Sequence, residues 1–206
     1  MQEKILFREE ERYFLASYGA ILASHPYPAL RDSQDALATL VHWVRSFLCA
    51  NHNHLGREGN VCPYTAPALK KHTLWFTAIT DETLSKEDVL AIVELYRQWF
   101  LELEPIQDNS NIFKSIIIAF PNIDAEQAPE YIDEVQAALK YNFVREGLMI
   151  GQFHQSCPEP GLHNSDFRPL QSPVPLLAIR NMVRTDIPFL AHDEVLMQSY
   201  RKIFMN

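Results

Sequence analysis

The sequence is short of the residues that staple or bend a chain. It holds three cysteines (Cys49, Cys62 and Cys157) and six glycines in 206 residues. An odd, sparse cysteine count argues against a disulfide framework. At this length a chain buries about 70% of its unfolded surface, so a hydrophobic core needs no staple. No apolar run approaches the roughly 20 residues of a membrane helix. The opening MQEKILFREEERYFL lacks the basic segment and apolar stretch of a signal peptide. The expectation is a cytoplasmic protein with no membrane partner. Cations are scarce too: 18 Lys and Arg stand against 26 Asp and Glu, a net charge of −8. The tight basic pair on an expected element is Lys70-Lys71, whereas a phosphate-binding surface needs clustered cations to release counterions. Nucleic acid is therefore not an expected partner. Gly-x-Gly-x-x-Gly, the P-loop, Gly-x-Ser-x-Gly and His-Glu-x-x-His are all missing, which removes the usual basis for nicotinamide binding, nucleotide hydrolysis, serine hydrolysis and zincin chemistry.

What is present reads as one globular domain over residues 1–206, with 47% hydrophobic and 21% charged residues. Phe7, Phe14, Tyr18, Ile21 and Leu22 recur at broadly helical spacing until the prolines of His25-Pro-Tyr-Pro break the pattern. Asp32 or Ser33 can cap a second helix, on which Leu37, Leu40, Val41, Val44 and Leu48 form a one-sided stripe. From residue 73 the pattern changes. Residues 74–79, 115–120, 148–154 and 174–183 read as strands. Ser85-Lys-Glu-Asp resembles a capping box opening a helix, Pro129 suits the first turn of the next, and residues 193–204 read as a closing helix. The expected fold is α+β: a mixed four-stranded sheet in the order β-α-β-α-β-β, with covering helices. An N-terminal helical pair (1–55) packs on an α+β core (60–190). An edge strand with an apolar face would suit a homodimer.

The connection between the last two strands, QSCPEPGLHNSDFRPLQSP, is long for a compact domain and rich in proline, a combination that suits a functional loop. His154 ends a strand and Cys157 follows three residues on. His163 lies further into the loop, and Cys62 sits in the other irregular stretch, near His52 and His54. Imidazole and thiolate bind zinc, iron and haem iron. His-x-x-Cys supplies half a metal site, and Cys62 with His52 or His54 could complete it only by folding. Cys62-Pro63 and Cys157-Pro158 hold their thiols on extended backbone. A small buried thiol is the usual alternative. Arg168 and Arg180 could clamp a carboxylate, although a strand arginine more often faces solvent. Trp43, Trp75 and Trp99 read as core, His42, His72 and His192 as structural or surface residues, and His25 as a turn residue that could line a pocket.

VCPYTAPAL at 61–69, GQFH at 151–154, GLHNSDFRPL at 161–170, SPVP at 172–175 and LAIRNMV at 177–183 together resemble a bacterial family of unknown function, over about residues 60–190, whose members often belong to natural-product pathways. The layout is also similar to the YqcI/YcgG family, which includes haem-dependent N-oxygenases of amino-acid or guanidine nitrogen. That similarity implies a haem-dependent oxygenase acting on a small nitrogenous metabolite. His154 would be the proximal ligand, with Cys157 and Cys62 as competitors. Arg168 and Arg180 would hold propionates or substrate, and Phe153 and Tyr64 would wall the pocket. The residues themselves leave two alternatives open: a non-haem zinc or iron enzyme using His154, Cys157 and His163, with Cys62 as a further ligand, or a non-catalytic module binding a small ligand.

Overall fold

Six short strands, rather than the four expected, build one mixed sheet in the computed structural model, which describes residues 3–9, 12–23, 28–106 and 109–205. His25 lies outside the described residues. The strands are β1 (Ile5–Arg8), β2 (Tyr13–Ser17), β3 (Leu74–Ala78), β4 (Ser115–Ala119), β5 (Leu148–Phe153) and β6 (Leu176–Asn181), in the order β1-β2-β3-β4-β6-β5. Among the described residues only β3 and β4 pair in parallel, and the chain between them carries α5 (Lys86–Glu102). The order strand, helix, strand, helix, strand, strand, helix after residue 72 is as the sequence pattern predicts.

The two additional strands come from the segment read as helix. β1 and β2 form an antiparallel hairpin with Phe7 opposite Phe14. A seven-residue separation is two helical turns, but it is equally the distance between partners on the two arms of a hairpin, so the spacing alone does not decide. Tertiary context does. All five β2 residues are buried, and β2 lies against β3 with Ala16 opposite Phe76. Helix begins only at α1 (Tyr18–Leu22), where Ser17 Oγ accepts from Ala20 N at 3.3 Å, and a second short helix, α2 (Pro28–Asp32), follows it in the chain.

Strand alternation divides the core into two layers. One face presents Leu15, Trp75, Ile116, Ile118, Ile150, Leu177 and Ile179 to α5 and to α6 (Glu134–Arg145). The other presents Phe14, Phe76, Ile117 and Leu176 to α3 (Gln34–Trp43) and α4 (Thr65–Lys71). Leu37, Leu40, Val41, Val44 and Leu48 are all buried as their stripe requires, and the helix continues past α3 through a π-helical turn over Val44–Leu48. The capping box at Ser85 is formed, with Asp88 N donating to Ser85 Oγ at 3.1 Å and Ser85 N to Asp88 Oδ2 at 2.9 Å. A second π-helical turn, Pro129–Asp133, leads into α6. The closing helix runs from Glu194 to Phe204. Among the described residues no helix is long and apolar enough to cross a membrane.

Candidate functional site

The long connection between β5 and β6 is ordered by its own hydrogen bonds. His154 O accepts from Cys157 N (3.1 Å) and from Ser172 N (3.3 Å), so one carbonyl gathers both ends of the loop. Gly161 N donates to Phe167 O at 2.8 Å. Asn164 Nδ2 reaches His54 O at 2.8 Å and ties the loop to residues 51–60.

At the end of β5 the His154 side chain turns toward the α6 layer. Its ring is 1% exposed and both nitrogens have partners. Nε2 lies 3.1 and 3.2 Å from the two oxygens of Asp133, and Nδ1 lies 3.2 Å from Ser156 Oγ. Cys157 is wholly buried beside them. One ligand atom from each of Asp133, His154 and Cys157 falls within 4.8 Å of the others, and Asp133, 29% exposed, forms the open side. Burial pushes the Cys157 thiol up; the Asp133 and Glu159 carboxylates add to this, while a hydrogen bond from the Glu159 backbone and the Arg168 guanidinium oppose it. The thiol therefore stays protonated unless a cation arrives. The donor set is one carboxylate, one imidazole and one thiol, which suits zinc or iron(II). A serine hydroxyl both donates and accepts, so Ser156 can support either tautomer of His154, including the one that frees Nε2 for an ion.

The other residues singled out from the sequence do not gather at this point. Arg168 is close enough to act on Cys157, but its guanidinium is used on the carbonyls of Ser165 and Phe167. Phe153 precedes His154 on the strand and so faces the opposite layer, packing edge-on against Trp43 at 5.8 Å. Arg180 shares that layer and sits opposite Met149, four positions along β5 from Phe153. It is held by both oxygens of Asp186, at 2.6 and 2.7 Å, with its guanidinium 5.8 Å from the Tyr64 ring centre. Tyr64 Oη pairs with Thr185 Oγ1 at 3.1 Å. Cys62 lies near Arg180 and Cys49 rather than near His154. His52 stacks on Phe167 at 4.7 Å, and the His163 backbone packs on Gly56. Neither imidazole joins the Asp133 group. An open hollow of about 670 Å³ against α4 is lined by none of these residues.

Asp133 is the residue that sequence reasoning missed. It stands 21 positions before His154 on another element. Nothing in the local sequence sets it apart from the other carboxylates; in the structure it ends a π-helical turn, a feature often found at functional sites.

A family model described as a domain of unknown function (DUF6875) matches residues 37–206, and the chain belongs to that family. The match contains the whole Asp133–His154–Cys157 group. No curated protein and no solved structure matches the chain.

Proposed function

We propose that the protein is a non-haem metal enzyme acting on a small molecule, with one zinc or iron(II) ion held by Asp133, His154 and Cys157. The observation that carries this reading is the convergence of three ligand types within 4.8 Å. Two of the three residues are buried and the third opens to solvent. Three protein ligands beside an open position is the arrangement of a catalytic rather than a structural metal site. Bound there, such an ion supplies a Lewis acid. The protein's own part is to orient the imidazole through Ser156, to keep water from Cys157 by burial, and to leave a small substrate its approach past Asp133.

The test is cobalt(II) added to chelator-treated, untagged protein. The expected result is one ion per chain with a thiolate-to-metal absorption band. Cys157→Ser should abolish the band, and Asp133→Asn and His154→Ala should weaken binding. Ser156→Ala should cost roughly 10–100-fold in affinity, as for other residues that orient a ligating histidine. Absence of binding, or equal binding by all variants, overturns the proposal and leaves the His154–Asp133 pair as a clasp between loop and helix.

The haem reading uses the same imidazole. Both ring nitrogens already have partners and the ring is 1% exposed. A porphyrin would have to displace Asp133 and open the packing around the ring, which a single ion need not do. Protein expressed with a haem precursor is expected to be colourless. A stoichiometric Soret band lost in His154→Ala would replace the metal-ion reading with the haem one.

A further inference from the structure

Cys49 and Cys62 lie away from the Asp133 group, and the proposed chemistry uses neither. Cys49 follows the π-helical turn Val44–Leu48, and the chain then runs out to a pairing of Asn51 with Asn60 and back. The carbonyls on either side of Cys49 are both claimed by the returning segment. Leu48 O accepts from Cys62 N and Ala50 O from Val61 N, each at 2.9 Å. With a 2.9 Å bond from Cys62 N to the carbonyl just before Cys49, standard backbone dimensions keep the two Cα atoms within about 7 Å. A disulfide spans roughly 4.4–6.8 Å between Cα atoms. Both side chains pack against the same core layer, and both are half-buried rather than sealed. The Cys49 sulfur also feels its neighbour: burial first, and then the nearby Cys62, push the Cys49 thiol up to about 11.

We infer that Cys49 and Cys62 form a redox-sensitive dithiol site, closed to a disulfide by a small disulfide oxidant such as oxidised glutathione. The exchange begins when the Cys62 sulfur attacks one glutathione sulfur, since burial makes the Cys49 thiol slow to do so. A protein–glutathione disulfide forms and one glutathione thiol leaves. Cys49 then attacks the Cys62 sulfur, forming the internal disulfide and expelling the second glutathione thiol. The protein loses two electrons and two protons, and one oxidised glutathione becomes two reduced ones.

Closure would tie the end of the π-helical turn to the segment entering α4, fixing both ends of loop 51–60. That loop bears directly on the β5–β6 connection, through Asn164 on His54 and His52 stacked on Phe167. Oxidation therefore stiffens one wall of the connection that carries His154, without using any of the proposed metal ligands.

The test equilibrates the full chain, metal-free, with glutathione buffers of increasing oxidised fraction, followed by alkylation and mass spectrometry of intact and digested protein. The expected product is 2 Da lighter, unalkylated at both positions, and yields a Cys49–Cys62 linked peptide while Cys157 remains a thiol. Cys49→Ser should stop at a single glutathione adduct on Cys62, and Cys62→Ser should give no internal disulfide. The oxidised wild type should unfold at a higher temperature than the reduced form, a shift absent from both variants. Wild type that accumulates glutathione adducts without the link, links Cys157 instead, or stays fully reduced in excess oxidised glutathione overturns the inference.

Discussion

Two charged side chains carry most of the electrostatic risk in this protein, and each makes a separate prediction. Lys114 is 2% exposed, with one hydrogen bond to Leu103 O at 2.7 Å and the Phe100 ring at 4.5 Å. Burial pulls its amine from the ordinary 10.5 down to about 8, partly opposed by Glu104. A lysine whose folded pKa is depressed destabilises the fold fully below that value, and the penalty fades as pH rises toward the unfolded one. The stability difference between wild type and Lys114→Met should thus move toward the wild type by about 3 kcal/mol between pH below 8 and pH above 10.5. Denaturant titrations across that range measure it, and a difference that stays flat refutes it. Asp186 is the reverse case, 3% exposed and paired with an arginine that is 25% exposed. Asp186→Ala removes both bonds to Arg180 and the bond from Val183 N at 2.8 Å. A buried pair broken on one side costs about 3–5 kcal/mol; with Arg180 partly solvated, about 2–3 is expected. Arg180→Met/Asp186→Leu should lose less than Asp186→Ala alone, because no charge is left stranded.

At the scale of elements, what the sequence revealed depended on whether one period or several decided the outcome. The α3 stripe and the Ser85 capping box are local and unambiguous, and both formed as read. The β1–β2 hairpin was hidden because its spacing also fits a helix. The site was half legible. His154 and Cys157 are neighbours in sequence and come together, but Asp133 arrives from another element through the packing of α6 on β5. Phe153 could have been separated from His154 on paper, since successive side chains along a strand go to opposite faces; Arg180 could not, because its face depends on the register of β6 against β5. The sheet edge follows the same logic: Ile150 O on edge strand β5 accepts from Gln136 Nε2 at 3.0 Å, so a helix side chain occupies a carbonyl that a second sheet could otherwise claim. The contact between loops 51–60 and 161–170 depends on a glycine. Gly56 has φ +76°, and a Cβ there would lie 2.5 Å from His163 O, whereas at Gly59, φ +92°, it would meet only the end of Arg57 at 3.6 Å. Both Gly→Ala variants pay for positive φ, about 1 kcal/mol. Gly56→Ala should cost about twice that or more, since the loops must also part. Urea midpoints read the contrast, and equal losses would mean the two loops are not in tight contact.

At the scale of the molecule, the family match and the folding unit have different boundaries. The match begins at residue 37, yet β2 lies upstream of it and feeds both core layers, Leu15 into one and Phe14 and Ala16 into the other. Tyr96 Oη, from the middle of α5, donates to Phe14 O at 3.1 Å and pairs with Thr77 Oγ1 at 3.0 Å, so the same strand completes a buried polar group. Removing residues 1–36 would turn β3 into an edge, strand that hydroxyl network and uncover both layers along one side. Tyr13, Phe14, Leu15 and Leu30 are each nearly inaccessible. At about 1.5–3 kcal/mol for each large side chain, their loss is comparable to the roughly 5–15 kcal/mol that holds a typical domain together. A chain starting at residue 37 should therefore show no cooperative thermal transition by circular dichroism, although it retains every residue of the family match and all three proposed metal ligands. A single sharp transition close to that of the full chain would mean that the later strands form a self-sufficient core and that the hairpin only caps it. Hydrogen exchange on the full chain gives an independent reading of the same question: β2 amides should exchange as slowly as those of β4, while the half-exposed β1 exchanges faster.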